Sequence, residues 1–322
     1  MSIVFKSAVR ENVGLLIGIC GGTGSGKTFS AFRLASGIAD GEPFAVIDTE
    51  ARRALHYADQ FKFDHAELHA PFRPDAYAEA IKAADAAGYP VIVVDSVSHV
   101  WAGNGGVLDW QEEELDRMAG QDWKKREACK MAAWIKPKMA HKKFVQSLLQ
   151  VRAHLILCFR AEEKIEIVRE DGKTKIVPKQ SLTGADGWLP ICEKTLPFEL
   201  TTSFLMTANK PGIPQPIKLQ EQHRALFPLD KPITEESGRL VAEWAAGGQK
   251  KAPAMTQEER DVSAEKAPDF ITPDQAIEIG DKLAARADLK AKILKKYGAV
   301  SKIPAEQYQT AIAWINEQLG EQ

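Results

Sequence analysis

Residues 21–28 read Gly21-Gly22-Thr23-Gly24-Ser25-Gly26-Lys27-Thr28, and no other stretch narrows the possible folds of this chain so far. The run fits the pattern G-x-x-x-x-G-K-[ST] at every fixed position. Gly21, Gly24 and Gly26 permit backbone angles and close approaches that a side chain would block. A loop whose N–H groups point inward, followed by a helix N-terminus, suits the dense negative charge of a triphosphate. Lys27 would reach the β- and γ-phosphates and the Thr28 hydroxyl would ligate Mg²⁺, with Gly22, Thr23 and Ser25 completing the cradle. The flanks agree. Residues 14–20 are a short apolar run that reads as a buried strand, and residues 29–35 continue as a helix. Strand, glycine loop, helix is the setting this chemistry requires.

The chain has 322 residues, of which 44% are hydrophobic, enough for one large domain with an appendage or for two domains. A net charge of −2 gives no global field toward nucleic acid or membrane, so any such binding must come from local patches. Cys20, Cys129, Cys158 and Cys192 form no C-x-x-C pair and read as free thiols in a reducing cytosol. The sequence shows no signal-peptide layout and no apolar run near the ~18 residues of a membrane span, which predicts a cytoplasmic protein without a membrane partner.

Taken in order, residues 43–48 form a second apolar run ending in Asp48-Thr49-Glu50, followed by predicted helices over 52–61 and 75–86. Residues 91–96 read Val-Ile-Val-Val-Asp-Ser. An acid at the end of a buried strand, here Asp95, is the second phosphate-site element of nucleoside triphosphatases and holds the Mg²⁺ shell. A Gly-rich loop over 99–106 contains Trp101. An acidic helix over 111–119 precedes a long helix over 121–143, with eight basic residues against Asp122 and Glu127 and with Pro137 expected to break or kink it. That helix reads equally as a solvated face and as a DNA surface. Residues 154–160 are another buried strand, ending at Arg160. Alternation over 164–170 and 173–177 around Asp171-Gly172 signals a hairpin carrying Lys164, Arg169, Lys173, Lys175 and Lys179. A strand over 198–208, a turn over 211–214, a short strand over 216–219 and a helix over 234–246 close the core. Residues 247–268 read as a flexible linker. A capping box over 272–275 then opens a small unit with helices over 273–286, 288–297 and 304–318. The expected division is a core over 1–246, a linker over 247–268 and a helical unit over 269–322.

Glu50 is a carboxylate beside the phosphate site that could accept a proton from attacking water or orient it. The alternative is that Asp48-Thr49-Glu50 caps a helix without chemistry. No Asn-Lys-x-Asp element of a switch GTPase is present. On the segments 21–28, 46–57 and 91–97, the sequence resembles the RecA family, and within it the phage-encoded RecA-like ATPases grouped with single-strand-annealing recombinases. The likeness covers roughly residues 14–246. It implies an α/β fold, a RecA-like P-loop NTPase core with a mostly parallel sheet, plus the small C-terminal helical unit. It also implies ATP and Mg²⁺ as cofactors. Glu50 would be the catalytic glutamate acting with Lys27, Thr28 and Asp95 would be the metal ligands, and Tyr57 would pack against adenine. Where RecA-type proteins place a γ-phosphate-sensing glutamine, this strand carries Arg160. The DNA loops would be 99–108, with Trp101 to stack on a base, and the basic hairpin 164–179; stacking plus backbone cations is how single strands are bound without sequence preference. The implied activity is DNA-stimulated ATP hydrolysis in annealing or strand exchange, in the host cytoplasm. The implied partners are single-stranded DNA, further copies of the chain in a ring or filament with a basic residue supplied in trans (Lys194 or Lys210), and other recombination or single-strand-binding proteins. A hexameric translocase or helicase, a small-molecule kinase and a nucleotide-switched loader share the phosphate site and remain alternatives.

Overall fold

A computed structural model of the chain describes residues 10, 13–170, 173–178, 187–247, 270–283 and 286–319. The chain divides into two units, residues 1–254 and 255–322.

The first unit is built on strands β1 (Leu16–Gly21), β2 (Phe44–Asp48), β3 (Phe63–Glu67), β4 (Val91–Asp95), β5 (His154–Glu163), β8 (Trp188–Pro190), β9 (Thr202–Thr207) and β10 (Lys210–Lys218). Their order is β10-β9-β1-β5-β4-β2-β3, with β8 antiparallel on the far end of β5. Every neighbouring pair from β9 to β3 is parallel, and β10 runs antiparallel at the edge. Two further strands, β6 (Ile165–Glu170) and β7 (Lys173–Pro178), form a separate antiparallel hairpin. The helices are α1 (Lys27–Ala39), α2 (Pro74–Ala86), α3 (Ser98–Ala102), α4 (Val107–Ala119), α5 (Trp123–Cys129), α6 (Ile135–Leu148), α7 (Leu196–Glu199) and α8 (Glu235–Ala245).

The central strands are buried on both faces, as parallel strands covered by helices must be. Alternate residues feed two cores. Ile17, Ile19, Val91, Val93, Ile156 and Cys158 face α1 and α8. Leu16, Cys20, Ile92, Val94, Leu155 and Leu157 face α2, α3 and α6. Helices α1 and α8 approach to backbone contact: a Cβ on Gly37 would lie 1.9 Å from the Glu235 carbonyl oxygen, and one on Gly238 2.2 Å from that of Leu34. Beside this crossing, Arg33 donates to both carboxylate oxygens of Glu235, with Nη2 to Oε2 at 2.6 Å.

Several elements differ from the sequence reading. The predicted helix over 52–61 is a short 3₁₀ turn, Arg53–Tyr57, and β3 follows it. The long helix expected over 121–143 is two helices, separated at residues 130–134. Pro137 sits in the first turn of α6, where no intrahelical N–H bond is required. The prolines over 211–216 lie in edge strand β10 rather than in a turn, since an edge strand needs only one side of its ladder.

The second unit holds α9 (Pro273–Lys282), α10 (Ala287–Tyr297) and α11 (Tyr308–Leu319) around Ile279, Leu283, Leu289, Ile293, Ile303 and Ile315. Thr272 and Gln275 form the reciprocal capping box that the sequence predicts. The expected linker falls on residues 247–268, of which 248–268 lie outside the described residues, as does Lys179.

Candidate active site

In parallel α/β sheets ligands bind beyond the carboxyl ends of the strands. Register brings the chemistry of this chain to that edge: Asp48 lies beside Asp95, Asp95 beside Cys158, and Gly21 beside Arg160. A cleft of about 660 Å³ opens there, lined by residues 21–29, Glu50, Arg53, Tyr57, Asp95 and Arg160. That volume suits a nucleotide-sized ligand.

Gly24 and Gly26 take left-handed angles, φ 73° and 83°, which glycine adopts without strain. Gly26 also touches Gly212 of β10, whose N–H donates to the Ser25 carbonyl at 3.0 Å. Edge strand β10 therefore buttresses the loop, a role that sequence spacing does not reveal. Inside the loop, Ser25 Oγ and Lys27 Nζ donate to the Gly22 carbonyl at 2.8 and 3.0 Å. The lysine thus folds back over the cradle into which the α1 N-terminus points.

Thr28 Oγ1 donates to Asp95 Oδ2 at 2.5 Å. Burial pushes the Asp95 carboxyl up to about 6, against the opposing pull of the Thr28 hydroxyl. A hydroxyl and a carboxylate converging on one cleft are hard oxygen donors. They fit Mg²⁺, which keeps most of its waters and takes few protein ligands.

Glu50 is the best-tethered carboxylate in the cleft. Asp48 accepts the N–H groups of Glu50 (2.6 Å) and Ala54 (3.0 Å), and this holds the turn in which Ala51 and Arg52 adopt left-handed angles. The Glu50 carboxylate receives two bonds from Arg160, Nε to Oε1 at 2.8 Å and Nη2 to Oε2 at 2.7 Å. Arg53 Nη1 lies 3.5 Å and His99 Nε2 3.9 Å away. Burial raises the Glu50 carboxyl, but the hydrogen bonds and charge of Arg160, with the charges of His99 and Arg53, together hold the group below its ordinary range. His99 is fixed from behind, with Nδ1 2.8 Å from Thr49 Oγ1 and its ring stacked on Phe72 at 5.0 Å. Burial, then Arg160, lowers its basicity. Neither Arg53 nor His99 stood out in the sequence. Arg53 had one signal, its place three residues after Glu50. Tyr57 lines the outer cleft, its ring 5.9 Å from that of Phe29 and 5.6 Å from that of Phe32.

The fold thus gathers residues 21–28, Glu50, Tyr57, Asp95 and Arg160, but not the candidate DNA residues. Trp101 is half-buried, stacked on Trp134 (6.1 Å, 20°) with the edge of His141 against it (5.7 Å), so its ring is not an open platform for a base. Lys164 pairs with Glu162 at 2.8 Å. Lys175 is exposed on β7; Arg169 and Lys173 stand on the hairpin strands, and their side chains lie outside the described residues.

A family described as an AAA domain matches residues 14–192, more than half of the chain. The chain belongs to this AAA-domain family. Its members are P-loop ATPases, and the phosphate loop, Glu50, Asp95 and Arg160 all fall within the AAA-domain match. No curated protein matches the chain. No helix among the described residues is long and apolar enough to cross a membrane.

Proposed function

We propose that this AAA-domain protein is an Mg²⁺-dependent ATPase acting on single-stranded DNA in annealing or strand exchange. The observation that carries the ATPase reading is the convergence of Lys27, the Thr28–Asp95 pair and Glu50 on one cleft beyond a parallel sheet. The DNA reading is supported by the sequence resemblance to phage recombinases.

Lys27 leaves the Gly22 carbonyl for the β- and γ-phosphates, and the loop amides neutralise charge that grows on phosphate oxygens in the transition state. Thr28 and Asp95 would hold the metal, and a bound Mg²⁺ would neutralise further phosphate charge. Glu50 orients the attacking water and takes its proton. Arg160 lines the same cleft, so an incoming γ-phosphate competes with Glu50 for its guanidinium. Nucleotide arrival then frees the carboxylate for water, which makes Arg160 the phosphate sensor. Tyr57 packs on the base. Copies of the chain associate as a ring or filament, with a basic residue completing the site in trans, and other recombination or single-strand-binding proteins act beside it.

The test is ATP turnover with calorimetric nucleotide binding. Glu50→Gln is expected to bind ATP normally and lose about 10²–10⁴-fold in kcat, the usual worth of a positioned base. Lys27→Ala is expected to lose binding. Near wild-type turnover by Glu50→Gln would remove the carboxylate from its role, and turnover indifferent to single-stranded DNA would overturn the DNA assignment.

A further inference from the structure

Helices α5 and α6 present a surface that neither the cores nor the cleft uses. Trp123, Met131, Ile135 and Met139 leave 71%, 80%, 59% and 57% of their area to solvent. Large apolar side chains left this exposed mark a surface that something covers. Met131, Ile135 and Met139 recur every four residues and so form one stripe along α6 and the turn before it. Lys138 and Lys142 flank that stripe, three positions after Ile135 and Met139.

The acids of this neighbourhood are already engaged. Glu112 and Asp116 pair with Arg126, Glu114 with Lys136 and Arg117, Asp122 with Lys125, and Glu127 with Lys130. Among the described residues Lys124, Lys138 and Lys142 have no ion-pair partner. Instead Lys124 Nζ sits 5.8 Å from the Trp123 ring and Lys138 Nζ 5.4 Å from the Trp134 ring. In a chain whose net charge is −2, this is a local patch of cations without close ion pairs, set among apolar and aromatic side chains, with Glu193 within electrostatic reach of Lys138.

We propose that this face binds a single strand of nucleic acid, with bases on Trp123, Met131 and Met139 and phosphates on Lys124, Lys138 and Lys142. Cations beside an open aromatic ring are the arrangement that holds unstacked strands without regard to sequence. Methionine is flexible and its sulfur makes favourable contacts with aromatic rings, which unstacked bases supply. An acidic helix would satisfy the lysines but would leave the exposed indole without a matching flat partner. The proposal rests on the single-strand reading above and moves the contact from Trp101 and the hairpin to α5 and α6. Packing also links the face to the active site: Lys138 lies over Trp134, Trp134 stacks on Trp101 of α3, and α3 carries His99 beside Glu50.

The experiment is fluorescence anisotropy of labelled oligothymidylate with the full chain across a salt series, alongside unstimulated ATP turnover. Trp123→Ala and the double variant Lys138→Glu/Lys142→Glu are each expected to weaken binding about tenfold or more. Their unstimulated turnover and melting temperature should not change. Replacing the same two lysines by Gln should reduce the salt slope by roughly 0.7 for each phosphate that is no longer neutralised. Unchanged binding in these variants, with weakened binding in Lys164→Glu/Lys175→Glu, would overturn the α5–α6 assignment and leave the single-strand reading standing at the hairpin. No binding by the wild-type chain, with ATP turnover intact, would overturn the single-strand reading itself. Binding of a designed acidic amphipathic peptide but not of oligothymidylate, abolished by Lys138→Glu/Lys142→Glu, would make the face a protein-docking surface and overturn the proposal.

Discussion

Thr49 joins the ends of two strands through one hydroxyl. It accepts the Ser96 N–H at 2.8 Å, donates to the Ser96 carbonyl at 3.0 Å, and meets His99 Nδ1 at 2.8 Å. Because Glu50 is the next residue, this hydroxyl also fixes where the carboxylate starts. Thr49→Val keeps the shape and leaves a buried N–H and a ring nitrogen without that partner. The expected cost is about 1–3 kcal/mol, the usual penalty for an orphaned buried polar group. A lowered melting temperature together with slower turnover would register it; an unchanged melting temperature would show that the Ser96 N–H and the His99 ring find other partners, since the Tyr77 hydroxyl reaches only the Ser96 carbonyl, at 3.1 Å. The loop residues 21–28 were legible in the sequence because their geometry is local. Arg53 and His99 were not, because their meeting with Glu50 depends on the 3₁₀ turn and on a strand end 45 or more residues away, as Asp95 is from Glu50.

At the scale of elements, the α1–α8 pair carries a pH-dependent contribution. Arg33 holds the Glu235 carboxylate below its ordinary range, chiefly by direct hydrogen bonding. A lowered carboxyl binds its proton less readily folded than unfolded. Its contribution is therefore present above the ordinary carboxylate range and is lost as pH falls through the depressed folded value. Both partners are partly exposed, so solvent screening limits the effect to about 0.5–1 kcal/mol. Arg33→Leu should lower stability by that amount near neutral pH in urea unfolding, and the gap to wild type should close in acid. The two helices themselves were readable from their apolar spacing. The misread elements share a cause in local composition. Strand β3 carries Asp64, His65 and Glu67 on an edge and shows only weak alternation, while β10 hides among prolines that an inner strand would refuse. The break between α5 and α6 at residues 130–134 has no proline or glycine to announce it.

For the whole molecule, the AAA-domain match stops at residue 192, in the middle of a structural commitment. Strand β9 pairs directly with β1, the strand that carries the phosphate loop, and α8 lies in backbone contact with α1. A chain ended at residue 192 would leave β1 as a bare sheet edge and α1 with a stripped apolar flank. Unpaired edges and exposed apolar faces template association between molecules. Such a fragment is expected to elute as aggregate in size-exclusion chromatography and to melt without a cooperative transition, whereas one ended at residue 247 keeps both partners and should unfold in a single step. The boundary by which relatives are recognised and the boundary at which this protein can be cut are therefore different places, and variation beyond residue 192 is constrained by the loop it shelters.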